Sequence, residues 1–87
     1  MAKFKVVLTK KAQKNLDKIR GKLYDSIYSS LLKLADNPFP KGFKQLVSFN
    51  DAQYRFRIGD YRILYNVNTK KKLIYILKIG HRKDIYQ

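Results

Sequence analysis

Apolar residues recur in this chain with two different periods, and the change of period divides it into a helical half and a stranded half. Residues 3–8, Lys-Phe-Lys-Val-Val-Leu, alternate at first and end apolar, which is the pattern of a short strand. Thr9 is placed to cap a helix beginning at Lys10, because its hydroxyl can accept an amide of the first turn. On that helix Ala12, Leu16 and Ile19 fall at i, i+4 and i+7 and form one apolar stripe, while Lys10, Lys11, Lys14, Lys18 and Arg20 take the other faces. Gly21 breaks the pattern as a tight helix–helix turn. A second helix is predicted from about Lys22 to Asp36, with Leu23, Ile27, Leu31, Leu34 and Ala35 inward. Asn37-Pro38-Phe39-Pro40 stops it, since a residue preceding proline is pushed out of the helical region.

Residues 41–53 read as a connector from which Phe43, Leu46, Val47 and Phe49 can pack onto the core. Tyr54-Arg55-Phe56-Arg57-Ile58 then alternates apolar with basic, Gly59-Asp60 supplies a two-residue turn, and Tyr61 to Val67 is the return strand. Glycine at the first turn position suits a type II′ hairpin. Residues 68–72 form a longer turn, and Leu73 to Ile79 is apolar enough for a central strand, ended by Gly80. The predicted class is α+β in the order β-α-α-β-β-β: two N-terminal helices packed on one face of a twisted, mainly antiparallel sheet. Residues 1–87 make one domain, with no internal repeat, low-complexity segment or interdomain linker.

A chain of this length buries about 60–65% of its unfolded surface, enough for one modest core. Charge changes the picture more. Twenty Lys and Arg face six Asp with no Glu, giving a net charge of +14. Such self-repulsion costs stability, so it points to an anionic partner: nucleic acid, an acidic protein or an anionic membrane surface. The competing explanation is lysine that merely solvates the surface. No apolar run reaches the roughly 18–20 residues that span a bilayer, and the N-terminus lacks the apolar stretch of a signal peptide. The absence of cysteine removes disulfides and fits a reducing cytoplasm. One histidine, no cysteine and six scattered aspartates disfavour a zinc site or a paired-carboxylate centre, and no Gly-rich phosphate loop is present. Neither a metal nor a cofactor is expected.

Arginine is the informative residue type. Of Arg20, Arg55, Arg57, Arg62 and Arg82, four follow Tyr54 in a chain that otherwise uses lysine. Side chains alternate along a strand, so Arg55 and Arg57 stand together on the face opposite Tyr54, Phe56 and Ile58, with Arg62 just across the turn. A planar guanidinium can bind two phosphate oxygens at once, so three of them in one hairpin make a phosphate grip. The tail adds His81, Arg82, Lys83 and Tyr86. Histidine can shuttle a proton, arginine can stabilise a developing phosphorane charge, and tyrosine can stack on a base. Those are the needs of RNA cleavage by its own 2′-hydroxyl without a metal. The bland alternatives are a solvated hairpin face, a backbone-bonded strand-end His81 and a Tyr86 docked on the sheet.

The stretch Tyr54-Arg-Phe-Arg-Ile-Gly-Asp-Tyr-Arg-Ile-Leu-Tyr65, followed by Ile79-Gly-His-Arg-Lys-Asp-Ile-Tyr86, resembles the RelE branch of the RelE/ParE toxin superfamily, and the N-terminal β-α-α order is similar too. The resemblance implies a ribosome-dependent mRNA endonuclease of a type II toxin–antitoxin system. Its implied partners are the ribosome, mRNA and a cognate antitoxin, acidic or carrying an acidic binding segment. By motif, Arg82 matches the family arginine that stabilises the transition state, Tyr86 the C-terminal tyrosine that stacks on or orients the substrate, and Arg62 the arginine that holds the scissile phosphate. The catalytic set is then Arg62, Arg82, Tyr86 and His81, and the RNA-binding set is Arg55, Arg57 and Lys83. Arg55 and Arg57 fall where the best-studied branch has lysines, and arginine cannot act as a base. The base then falls to His81 first and Tyr86 second, or Arg57 orients the 2′-hydroxyl electrostatically. A ParE-like toxin that inhibits DNA gyrase and a non-catalytic RNA- or ribosome-binding module are the alternative functions.

Overall fold

The computed structural model describes residues 3–47 and 52–85, so Phe49 and Tyr86 lie outside the described residues. Its elements are β1 (Lys5–Leu8), α1 (Lys10–Asp17), α2 (Gly21–Asp36), β2 (Phe43–Gln45), β3 (Tyr54–Ile58), β4 (Tyr61–Asn68) and β5 (Leu73–His81). The expected order of strand, two helices and hairpin strands holds, with one short strand added inside the connector. The five strands form one sheet in the order β1-β5-β4-β3-β2. Only the β1–β5 pair is parallel; the other three pairs are antiparallel.

Local chemistry explains the element ends. Thr9 Oγ1 accepts the Ala12 amide at 3.1 Å and donates to the Leu77 carbonyl at 3.1 Å, so the cap of α1 also pins the helix to β5. Arg20 donates to the carbonyls of Asp17 and Ile19, satisfying acceptors that the end of α1 leaves open. Gly21 takes a φ of +68°, which glycine adopts freely, and α2 starts there, one residue earlier than its periodicity predicts. Of the two residues in the β3–β4 turn only Gly59 has positive φ, at +56°, as a type II′ turn requires.

Both helices pack on one face of the sheet. Ala12, Leu16, Ile19, Ile27, Leu31 and Leu34 meet Ile63, Tyr65, Ile74, Ile76 and Ile79, with Tyr54, Phe56 and Ile58 against them. At one end of this core Tyr65 is fully buried, and its hydroxyl donates to the Pro38 carbonyl at 2.7 Å. Burial foremost, and then Tyr54, push its hydroxyl pKa well above the usual range for tyrosine. The bond ties the β4 strand to the turn that ends α2. Tyr65→Phe should therefore cost about 1–2 kcal/mol by leaving that carbonyl without its donor, read as a lower urea midpoint with unchanged slope.

The opposite face carries a smaller apolar cluster of Ala52, Leu64 and Ile85, flanked by Leu46 and Leu77. Among the described residues no helix is long and apolar enough to cross a membrane.

Candidate nucleic-acid interface

The register of the sheet decides which basic residues share a face. Arg57 lies directly opposite Arg62, and Arg55 opposite Leu64 on one side and Lys44 on the other. Lys44, Arg55, Arg57 and Arg62 therefore stand on the face turned away from the helices, as the alternation of β3 predicts for its two arginines. The like-charged pairs Lys44–Arg55 and Arg57–Arg62 sit at adjoining cross-strand positions, an arrangement that costs stability by itself.

These arginines differ in exposure. Arg57 is exposed, whereas Arg55 is 9% and Arg62 only 8% exposed. Arg62 Nη1 donates to the carbonyls of Gly59 at 2.8 Å and Tyr61 at 3.0 Å, so the turn fixes the plane of its guanidinium. The sequence groups three forks in one hairpin without telling them apart; the structure builds Arg55 and Arg62 into the sheet and leaves Arg57 exposed.

At the end of β5 the structure corrects the reading of Gly80 as a terminator. The strand continues to His81, and the Arg82 amide donates to the Asp60 carbonyl at 2.7 Å, extending the pairing one step further. Gly80 lies opposite Arg62 and is there for a close approach: a Cβ on it would come within 3.3 Å of Ile85 Cδ1. The tail turns back over this glycine, with the amides of Asp84 and Ile85 donating to the His81 carbonyl at 2.8 and 2.9 Å. Lys78 Nζ donates to the carbonyls of Asp84 at 3.3 Å and Ile85 at 3.0 Å, clasping the same turn. Partial burial first, and Lys11 second, hold the Lys78 ammonium below the usual lysine range, with Asp84 opposing them.

Arg82 projects from this turn beside the hairpin, its side chain 57% exposed and its Nε 3.8 Å from Asp60 Oδ1. Lys83 follows it in the same turn and is exposed. Together the turn and the hairpin place Arg57, Arg62 and Arg82 around one end of the β3–β4–β5 sheet. His81 goes elsewhere. A bulge at Leu64/Tyr65, with Leu77 the extra residue of β5, shifts the alternation so that Ile79 and His81 face the helices. The imidazole packs edge-on against Tyr61 with ring centroids 5.6 Å apart, and its Nδ1 accepts the Lys83 amide at 3.1 Å. A neutral imidazole bonded in that way carries its proton on Nε2 and presents a donor there. Tyr86 lies outside the described residues.

Two contributors escaped the sequence reading. Lys44 joins the basic face through β2, and the alternation Phe43-Lys44-Gln45 was the available signal. Asp60 holds the tail through its carbonyl and carboxylate, which no periodicity reveals.

Residues 6–86 match the family of the ParE toxin of the type II toxin–antitoxin system parDE. A Methanocaldococcus jannaschii protein that bears the name toxin RelE1 is 32% identical over 88 residues, covering 98% of this chain and 97% of the relative. The toxin–antitoxin complex RelBE2 of Mycobacterium tuberculosis contains a chain of the same fold, with a TM-score of 0.81 and 25% identity over 97% of both chains. The archaeal RelE–RelB complex of Pyrococcus horikoshii OT3 matches with a TM-score of 0.79 and 31% identity, covering 94% of this chain and 98% of the other. The matched span takes in both helices and all five strands, so the chain belongs to the RelE/ParE superfamily as a RelE-like toxin of the type II toxin–antitoxin class.

Proposed function

We propose that this toxin is a ribosome-dependent endoribonuclease that cuts mRNA in the A site, and that a cognate antitoxin with an acidic binding segment holds it inactive in the cytoplasm. The observation that carries the reading is the row of like charges on the sheet, Lys44 opposite Arg55 and Arg57 opposite Arg62. Each such pair costs up to about 1 kcal/mol in the free protein, and a phosphodiester laid between them turns the repulsion into attraction.

In the reaction the 2′-hydroxyl oxygen bonds to the adjacent phosphorus as its proton passes to solvent water, and the bond from phosphorus to the 5′-oxygen breaks as that oxygen takes a proton from water, leaving a 2′,3′-cyclic phosphate and a 5′-hydroxyl. Negative charge grows on the phosphoryl oxygens at the crest. Arg57 and Arg62 grip those oxygens, and Arg82 stabilises the charge and serves the leaving 5′-oxygen. Arg62 is preorganised for this, since its fork is already fixed by two carbonyls. Arg55 and Lys83 extend the grip along the RNA, and Tyr86 takes the stacking role of the family's C-terminal tyrosine. His81, turned to the helix side with Nδ1 engaged, fits a base poorly; electrostatic stabilisation by the arginines carries the chemistry in this reading. The partner chains in the solved RelBE2 and RelE–RelB complexes support the antitoxin.

One observation favours a second reading: the family that matches is described by the ParE toxin of parDE, which fits the ParE-like, gyrase-inhibiting alternative. Purified toxin added to ribosomes carrying a defined mRNA separates the two. Cleavage within the A-site codon, with naked mRNA intact and gyrase supercoiling unaffected, is the expected result. Supercoiling inhibition with intact mRNA would replace the proposal by the gyrase reading.

A further inference from the structure

On the helix side of the same sheet end lies a cavity of about 320 Å³ that the proposed cleavage does not use. It opens between the α1–α2 junction and the ends of β4 and β5. Its rim carries Lys18, Arg20 and Lys78 against the single carboxylate of Asp84, with the His81 imidazole and Tyr61 on the sheet side. Ile19, Leu23 and Ile79 supply an apolar wall. The site is built rather than incidental. Asn15 Oδ1 accepts the Ile79 amide at 3.1 Å, which fixes α1 to β5, and two backbone carbonyls hold the Arg20 guanidinium at the mouth. Lys78 is committed to the tail carbonyls, so Lys18 and Arg20 are the cations that face an incoming group.

We propose that this cavity is a nucleotide-binding pocket, taking one nucleotide of a single-stranded RNA whose reacting phosphate lies on the arginine face. The phosphate meets Lys18 and Arg20, the base lies against Ile19, Leu23 and Ile79, and the His81 Nε2–H offers it a donor. Size selects a nucleotide over a protein carboxylate: pockets for small molecules start at about 300 Å³, and a lone aspartate or glutamate side chain would leave most of this volume empty. Charge selects an anion, since among the described residues Lys18 and Arg20 face the cavity against the one carboxylate of Asp84. The RNA then wraps the end of the β4–β5 pair, its two sides held on opposite faces of the sheet across Gly80. The strand part of this inference rests on the RNA-cleaving reading; the pocket itself does not.

His81 is the chain's single histidine, so its imidazole proton resonances report on the pocket without ambiguity. Adenosine 5′-monophosphate should shift them saturably, inorganic phosphate should do so more weakly, and the double variant Lys18→Gln, Arg20→Gln should abolish both. Lys18→Gln alone, which leaves the Arg20 bonds to the Asp17 and Ile19 carbonyls in place, should weaken the shift and guards against a folding artefact of the Arg20 change. For a ten-nucleotide single-stranded RNA the double variant should bind about tenfold more weakly. Its salt slope should fall by about 0.7 for each lost phosphate contact. Parental shifts in the double variant, or none with the nucleotide in the parent, would overturn the pocket while leaving cleavage standing. A nucleotide shift without any RNA binding would overturn the strand path and the RNA reading together. A shift with an acidic peptide but not with the nucleotide would make the cavity a protein-docking site and overturn the inference.

Discussion

Arg82→Ala should slow mRNA cleavage on ribosomes by about 10²–10³-fold, the loss seen when one preorganised donor to a developing oxyanion is removed. The same change should hardly touch the fold. The Arg82 side chain is 57% exposed, and its Nε–Asp60 contact, at 3.8 Å between exposed groups, adds little. The bond that anchors the turn, from the Arg82 amide to the Asp60 carbonyl, belongs to the backbone and survives truncation. A surface substitution of this kind stays within about 0.5 kcal/mol, or about 2–4 °C in melting temperature for a domain of this size. Cells expressing the variant should escape growth arrest while holding parental amounts of folded toxin. Arg82→Lys should recover only part of the rate, since an ammonium is a point charge without the guanidinium fork. A parental rate for Arg82→Ala would remove this residue from the chemistry and with it the nuclease assignment.

Where one physical rule dominated, the sequence reading and the structure agree. Ala12 and Leu16 became the buried face of α1, because nothing but the core competes for apolar residues at that spacing; the helix ends at Asp17, sooner than the stripe predicts, and Ile19 enters the same core from the link to α2. The Gly59-Asp60 turn and the split of β3 into an apolar and a basic face followed from backbone sterics and the strict period of two. The misses arose where two rules met. Gly80 reads as a strand end, yet it pairs with Arg62 inside β5 and Ile85 packs closely over it. The bulge at Leu77 has no signature in a run as apolar as Leu73-Ile-Tyr-Ile-Leu, and its single inserted residue sends His81 to the helix face. The face taken by Arg55 and Arg57 was thus legible from alternation, but that of His81 was not. The burial of Arg55 and Arg62 was equally hidden, because alternation assigns a side chain to a face of the sheet without telling how much of that face is covered.

Arg62→Lys should be the most damaging conservative change in the chain, and it should act twice. In the folded protein Arg62 Nη1 reaches both the Gly59 and Tyr61 carbonyls from a position only 8% exposed. The planar fork of a guanidinium is lost in lysine, whose tetrahedral head cannot meet two carbonyls and a phosphate in one plane. Leaving one carbonyl without its donor costs about 1–3 kcal/mol, which lowers the melting temperature by roughly 4–24 °C in so small a domain. The catalytic loss is separate, about 10²-fold from the misplaced phosphate donor. Thermal melts give the first effect, and single-turnover cleavage well below the variant's melting range, where both proteins are folded, gives the second. Added antitoxin that stabilised the variant without restoring activity on its release would point the same way. If the melt falls but the folded variant cuts at the parental rate, Arg62 is a brace for the hairpin turn, and the phosphate grip passes to Arg57 and Arg82 alone.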